Sequence, residues 1–165
     1  MRYKKTVATI LMSLLAAATP AQAQPVDGIT GWQTWTWDGS CFALLFPENP
    51  VISQLGNKRA YTAIKHTPSE STFDSVSFVS GLDDMTGVKG TADIDGKTFS
   101  LLVYDGSGFV SSGPREQDLL ASMLRGEELK ITWSGPEAMV TQVYKLPGLE
   151  QAKRTIDAGC SRPDA

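Results

Sequence analysis

Only two cysteines stand in the sequence, Cys41 and Cys160, toward opposite ends of the chain. A bond between them would close a loop of about 120 residues and remove roughly 4–5 kcal/mol of conformational freedom from the unfolded state. No other feature constrains the fold as much, because residue 160 would have to return to the segment around residue 41. Lone thiols pair in oxidising compartments and stay reduced in the cytosol, so the question passes to the N-terminus.

Residues 1–23 read as a secretory signal peptide. Arg2, Lys4 and Lys5 form a basic start, an apolar run follows from Val7 to Ala18, and Pro20 precedes a small-x-small site, Ala21-Gln22-Ala23. That order is what a signal peptidase recognises. The apolar run is shorter than the roughly 20 residues a bilayer span needs, and no later stretch in residues 24–165 is a candidate span. The pattern is of the bacterial type, which predicts a periplasmic protein and a Cys41–Cys160 disulfide; two free thiols are the alternative. Zinc is excluded, since two cysteines and one histidine cannot supply four ligands.

Residues 24–165 are enough for one domain with a real core. Of 15 basic residues the signal takes Arg2, Lys4 and Lys5, leaving 12 against 18 acidic ones, a net charge of −6. An acidic chain without a basic cluster argues against nucleic acid as a partner and against electrostatic adhesion to anionic lipid.

The pattern of residues 32–146 is mostly that of short strands. Trp32, Thr34 and Thr36 alternate with Gln33, Trp35 and Trp37. Cys41 to Phe46 is continuously apolar, as in a strand buried on both faces. Further strands are predicted at Tyr61–His66, at Phe73–Val79, at Val88–Ile94 and Thr98–Tyr104 around an Asp95-Gly96 hairpin turn, at Phe109-Val110, at Glu128–Trp133 and at Met139–Leu146. Two helices interrupt them. One starts at Pro114, carries Leu119, Leu120, Met123 and Leu124, and stops at Gly126. The other begins at about Leu149, and the spacing of Leu149, Ala152, Ile156 and Cys160 puts Cys160 on its apolar face. The expected fold is mainly β: an antiparallel sandwich or barrel with two short helices, the C-terminal one disulfide-linked to the sheet.

Signals for chemistry are weak. His66, the single histidine, could serve a hydrolase with Ser107 of Asp105-Gly106-Ser107-Gly108, but there is no nucleophile elbow. The simpler reading places His66 at a strand end. Asp83-Asp84 and Asp93-x-Asp95-Gly96 offer carboxylates for calcium, yet lack the remaining ligands of a binding loop; turns that use Asp for its backbone bonding suffice. The 18 acids offer many possible glycosidase pairs, with nothing in the spacing to mark one. Trp32, Trp35 and Trp37 are either core or a patch that grips a sugar or a partner protein.

The anchors Trp32, Cys41-Phe42-Ala43-Leu44, Ile64-Lys65-His66-Thr67-Pro68, Asp74-Ser75-Val76-Ser77 with Gly81, Ile94 to Leu101, Met123-Leu124-Arg125-Gly126 and Tyr144 to Leu149, closing on Cys160, follow one another as in a known family. From Gly31 to Cys160 the chain resembles the invasion-associated locus B family of exported alphaproteobacterial envelope proteins. It departs from the family's pattern at Gly135-Pro136-Glu137-Ala138 and at Phe109. The resemblance implies a compact β-sandwich with helices in a non-catalytic envelope protein. With no ligand set marked in the sequence, the expectation is a binding or structural module without cofactor or metal. The partner would be an envelope protein or glycan. A secreted factor that touches host cells rests on the family's name alone. The alternative function is a periplasmic hydrolase using His66.

Overall fold

The computed structural model describes residues 31–49, 58–136 and 138–161. The expected signal peptide, most of the segment after it, and Glu137 lie outside the described residues. Nine strands and two helices follow in order: β1 Gln33–Trp37, β2 Ser40–Leu45, β3 Tyr61–Thr67, β4 Thr72–Val79, β5 Lys89–Ile94, β6 Lys97–Tyr104, β7 Ser107–Phe109, α1 Pro114–Arg125, β8 Glu128–Ser134, β9 Met139–Lys145 and α2 Leu149–Gly159. All strand pairings are antiparallel, in the order β1-β2-β3-β4-β7-β6-β5-β8-β9.

The sandwich predicted from the sequence is thus one curled sheet. β6 is its corner: Lys97–Leu101 pair with β5, and Leu102–Tyr104 pair with β7 on the other side. The two ends then approach each other. The Glu48 N–H donates to Val143 O at 2.8 Å, and the Asn49 side chain both donates to Thr141 O and accepts from the Val143 N–H, each at 2.8 Å. These bonds satisfy the outer edge of β9, which would otherwise present bare backbone.

Three hairpins turn on an Asp-Gly pair: Asp38-Gly39, Asp95-Gly96 and Asp105-Gly106, with φ of 48 and 69°, 49 and 93°, and 44 and 77°. Left-handed backbone at both central positions is the type I′ turn, whose twist matches the flanking strands. Asp105-Gly106 is therefore a hairpin turn and not a nucleophile loop.

The inner face carries Cys41, Ala43, Leu45, Ile64, Val76 and Phe78 from one half of the sheet, and Ala92, Phe99, Leu101, Leu129, Ile131, Trp133 and Tyr144 from the other, all buried. Trp133 lies so close to β7 that a Cβ at Gly108 would stand 2.8 Å from its ring. Gln142 satisfies the polar atoms of this core. Its Oε1 accepts from the Trp133 indole at 3.0 Å and the Tyr144 hydroxyl at 3.1 Å, and its Nε2 donates to Ser80 O at 2.6 Å. Burial of Tyr144 pushes its hydroxyl pKa far up. The outer face of β2 corrects one expectation: Phe42, Leu44 and Phe46 are only half-buried, so the run Cys41–Phe46 is covered on one side.

α1 buries Leu119, Leu120 and Met123, as its spacing requires, while Leu124 stays exposed. α2 buries Leu149, Ala152 and Ile156, and Cys160 at its C-terminal cap is bonded to Cys41, with Cα atoms 5.9 Å apart. Removing this bond, by reduction or as Cys41→Ala/Cys160→Ala, is expected to lower the melting temperature by about 10–15 °C, since the loop it closes is long. Reduced and oxidised protein melting together would contradict that role.

Candidate functional site

β1 separates the three N-terminal tryptophans. Thr34 and Thr36 lie opposite Ala43 and Cys41 on the α2 side of the sheet, where both stay exposed at its edge, and alternation sends Trp35 and Trp37 to the other face. Trp35 is 56% and Trp37 71% exposed. Trp32, just before the strand, falls on the covered side. It packs against the core, and its indole N–H donates to Leu146 O at 3.0 Å. The expectation that all three share one binding surface is corrected here: Trp32 belongs to the packing, because it has the opposite parity along the strand.

The outward face continues past the pair. Trp35 lies opposite Phe42, Gln33 opposite Leu44, and Phe42 opposite Lys65, whose ammonium stands 5.6 Å from the Phe42 ring centre. Phe46 and Tyr61 meet edge to face at 6.3 Å. Trp35, Trp37, Phe42 and Leu44 make a contiguous apolar surface bordered by a cation. A surface of this kind marks interaction sites more often than solvated strand faces do.

A second constellation gathers on the inner face. Between Lys65 and Thr67 the β3–β4 register shifts, so that Phe73 and Asp74 both stand opposite His66. This is a β-bulge, and Asp74 takes φ of 61° in it. The left-handed backbone re-aims the Asp74 carboxylate inward. His66 is 2% exposed. Its Nε2 lies 3.2 Å from Asp74 Oδ1 and 3.5 Å from Asp157 Oδ1, and the Phe73 ring meets its ring edge to face at 5.5 Å. From α2, Lys153 Nζ reaches Asp74 Oδ1 at 2.7 Å and Asp157 Oδ1 at 2.8 Å.

The short contact to His66, and then the Lys153 ammonium, hold the Asp74 carboxyl well below the usual carboxylate range, although its partial burial pushes the other way. Burial pushes the Lys153 ammonium's pKa down, but Asp157 and Asp74 together outweigh it and raise it above the usual value. One ligand atom from each of His66, Asp74 and Asp157 lies within 4.8 Å of the others, the spread of a metal site. The ammonium of Lys153 already stands where the cation would, at hydrogen-bond distance from both carboxylates. The group is built as an ion-pair network that ties α2 to the bulge. Only Asp74 of this group lines the cleft of about 290 Å³ between β4 and α1, where Phe73, Leu120 and Leu124 form the apolar walls. A second cleft, about 370 Å³, opens elsewhere, between Leu82, Val88, Trp133, Pro136 and Val140, with Asp84 and Thr86 at its rim.

The remaining sequence candidates do not assemble. Ser107 pairs with Val79, and Val79 with Tyr61, five residues along β3 from His66. With about 3.3 Å per residue along the strand and two strand spacings of about 4.8 Å across β4, nucleophile and base are roughly 19 Å apart. Asp93 accepts from the Gly96 N–H, Asp95 from the N–H groups of Glu127 and Glu128, and Asp84 from the Thr86 N–H. These carboxylates are occupied by backbone donors in turns. The bulge cluster itself had no sequence signature, since Asp74, Asp157 and Lys153 meet His66 only through an irregular strand and a docked helix.

Comparison of the chain with protein-family models, with curated proteins and with solved structures gives no match.

Asp74→Asn keeps a residue that tolerates left-handed backbone and removes the charge. At pH 7 it is expected to cost about 1–2 kcal/mol of stability, because Lys153 loses a partner. A carboxyl whose folded pKa is depressed stabilises fully above its ordinary value of 3.8 and loses that contribution as pH falls below it. The wild type should therefore approach the variant on acidification below about pH 4. A constant gap between their denaturant midpoints from pH 7 to pH 3 would show that the network contributes nothing through charge.

Proposed function

We propose that this chain is an exported, non-catalytic binding module of the bacterial envelope, related to the invasion-associated locus B proteins, and that Trp35 and Trp37 carry its contact surface. The observation behind this reading is the aromatic pair held in water on a regular strand. Folding would favour burying two indoles, and here both stay out although α2 and the core lie one strand-thickness away. Flat indole faces stack on sugar rings and also anchor protein partners, so an envelope glycan or envelope protein is the expected ligand.

Several features support the rest. A Cys41–Cys160 disulfide fits an oxidising compartment, and the leader-like residues 1–23 fit export. Among the described residues no helix is long and apolar enough to cross a membrane. The hydrolase alternative would need His66 as a base. His66 is enclosed by Phe73, Asp74 and Asp157, with Ser107 about five residues away along the sheet.

The test is retention of envelope components on purified protein, with isolated cell-wall sacculi and membrane-protein extract as separate inputs. Wild type is expected to retain a specific glycan or protein. Trp35→Ala/Trp37→Ala, with the same melting temperature, is expected to bind at least tenfold more weakly, as for two anchors of about 1 kcal/mol or more each. Equal retention by both proteins, or ester or cell-wall hydrolysis that disappears in His66→Ala, would overturn the reading.

A further inference from the structure

The two edges of the sheet are treated differently. β9 is capped by Glu48 and Asn49. At the other end, nothing among the described residues pairs with the outer side of β1. Its sequence, Gln33-Thr34-Trp35-Thr36-Trp37, has no Lys, no Pro, no bulge and no charge. Those are the usual devices that keep an edge from pairing.

The backbone register decides what such an edge accepts. Trp37 and Ser40 flank the two-residue turn and form its hydrogen-bonded pair. Bonded pairs alternate along an antiparallel ladder. Gln33, Trp35 and Trp37 therefore spend their backbone groups on β2, while Thr34 and Thr36 turn theirs outward. A second β1, antiparallel and centred on Trp35, meets this pattern. Thr34 of each copy then faces Thr36 of the other, both with outward N–H and C=O groups, which gives four hydrogen bonds about the two-fold axis. Trp35 meets Trp35 of the second copy in the non-bonded position, where side chains approach most closely and aromatic pairs are favoured. Trp37 meets Gln33. Asp38 of one copy falls opposite Trp32 of the other, so in a chain rich in carboxylates none is set against another.

We infer that β1 is the interface of a symmetric dimer, joining two sheets edge to edge through Thr34, Trp35 and Thr36. The strand edge is spent on the second copy, and the outward face stays open. The four indoles of Trp35 and Trp37 then line one continuous platform across the dimer axis.

Sedimentation equilibrium of the purified protein, without added ligand, tests this. A dimer is expected at micromolar concentration. Trp35→Lys, which sets two ammonium groups opposite each other, is expected to sediment as a monomer with a native far-UV dichroism spectrum. A cross-link test fixes the register. Trp35→Cys should give an interchain disulfide on oxidation, and Trp37→Cys should not, because the two copies of residue 37 lie about 13 Å apart, four residues along the strand. A wild-type monomer up to millimolar concentration, a dimer that survives Trp35→Lys, or cross-linking through Trp37→Cys would each overturn the proposal. Trp37→Ala separates this inference from the binding reading: it should keep the dimer and lose the envelope ligand.

Discussion

A helix fastened at three points against one face of the sheet decides which face of the first strand each tryptophan takes. α2 is held by the Cys41–Cys160 bond, by Leu149, Ala152 and Ile156 in the core, and by Lys153 and Asp157, which reach Asp74 and His66 at the bulge. With α2 on the inner side, the period of two along β1 leaves no freedom. Trp32, Thr34 and Thr36 fall on the α2 side, where Trp32 is half-buried and both threonines stay exposed, and Trp35 and Trp37 fall on the other. The aromatic surface is thus a consequence of where the C-terminal helix docks, more than a hundred residues later in the chain.

The covalent and ionic fastenings are neighbours by construction. Cys41 pairs in register with His66, and His66 is the residue opposite the bulge that presents Asp74. Left-handed backbone at a non-glycine residue costs about 1 kcal/mol or more and persists where the surroundings hold it. Here the carboxylate that it re-aims gains an ammonium and an imidazole. An ion-pair network of this kind contributes modestly to stability; its more specific effect is on register, since α2 shifted by one residue would lose the contacts of Lys153 to Asp74 and of Asp157 to His66.

The legible parts of the sequence were those governed by local pattern or by chain-wide counting. The disulfide followed from two cysteines and a compartment. α1 followed from Pro114, an apolar stripe and Gly126, and the central hairpin from Asp95-Gly96. Phe73–Val79 read correctly as a strand, but its bulge did not show, because a bulge leaves the alternation nearly intact. Asp105-Gly106-Ser107-Gly108 was ambiguous between a catalytic loop and a turn, and only pairing partners distinguish these. Trp32 was grouped with Trp35 and Trp37 by proximity in sequence, although strand parity already set it apart. The continuity of the sheet through β6 depends on a strand long enough to serve both halves, and length alone does not announce that.

The division of the tryptophans is the claim on which the functional account stands, and fluorescence reads it directly. Trp133 is 1% exposed and Trp32 half-buried, against the open Trp35 and Trp37. The emission of the Trp35→Phe/Trp37→Phe variant, with acrylamide as quencher, is the measurement to make. The account predicts that the variant loses the red-shifted, readily quenched component and keeps a blue-shifted, protected one. A variant whose emission maximum and quenching matched the wild type would mean that Trp35 and Trp37 are shielded like the rest, and the proposed surface would not exist.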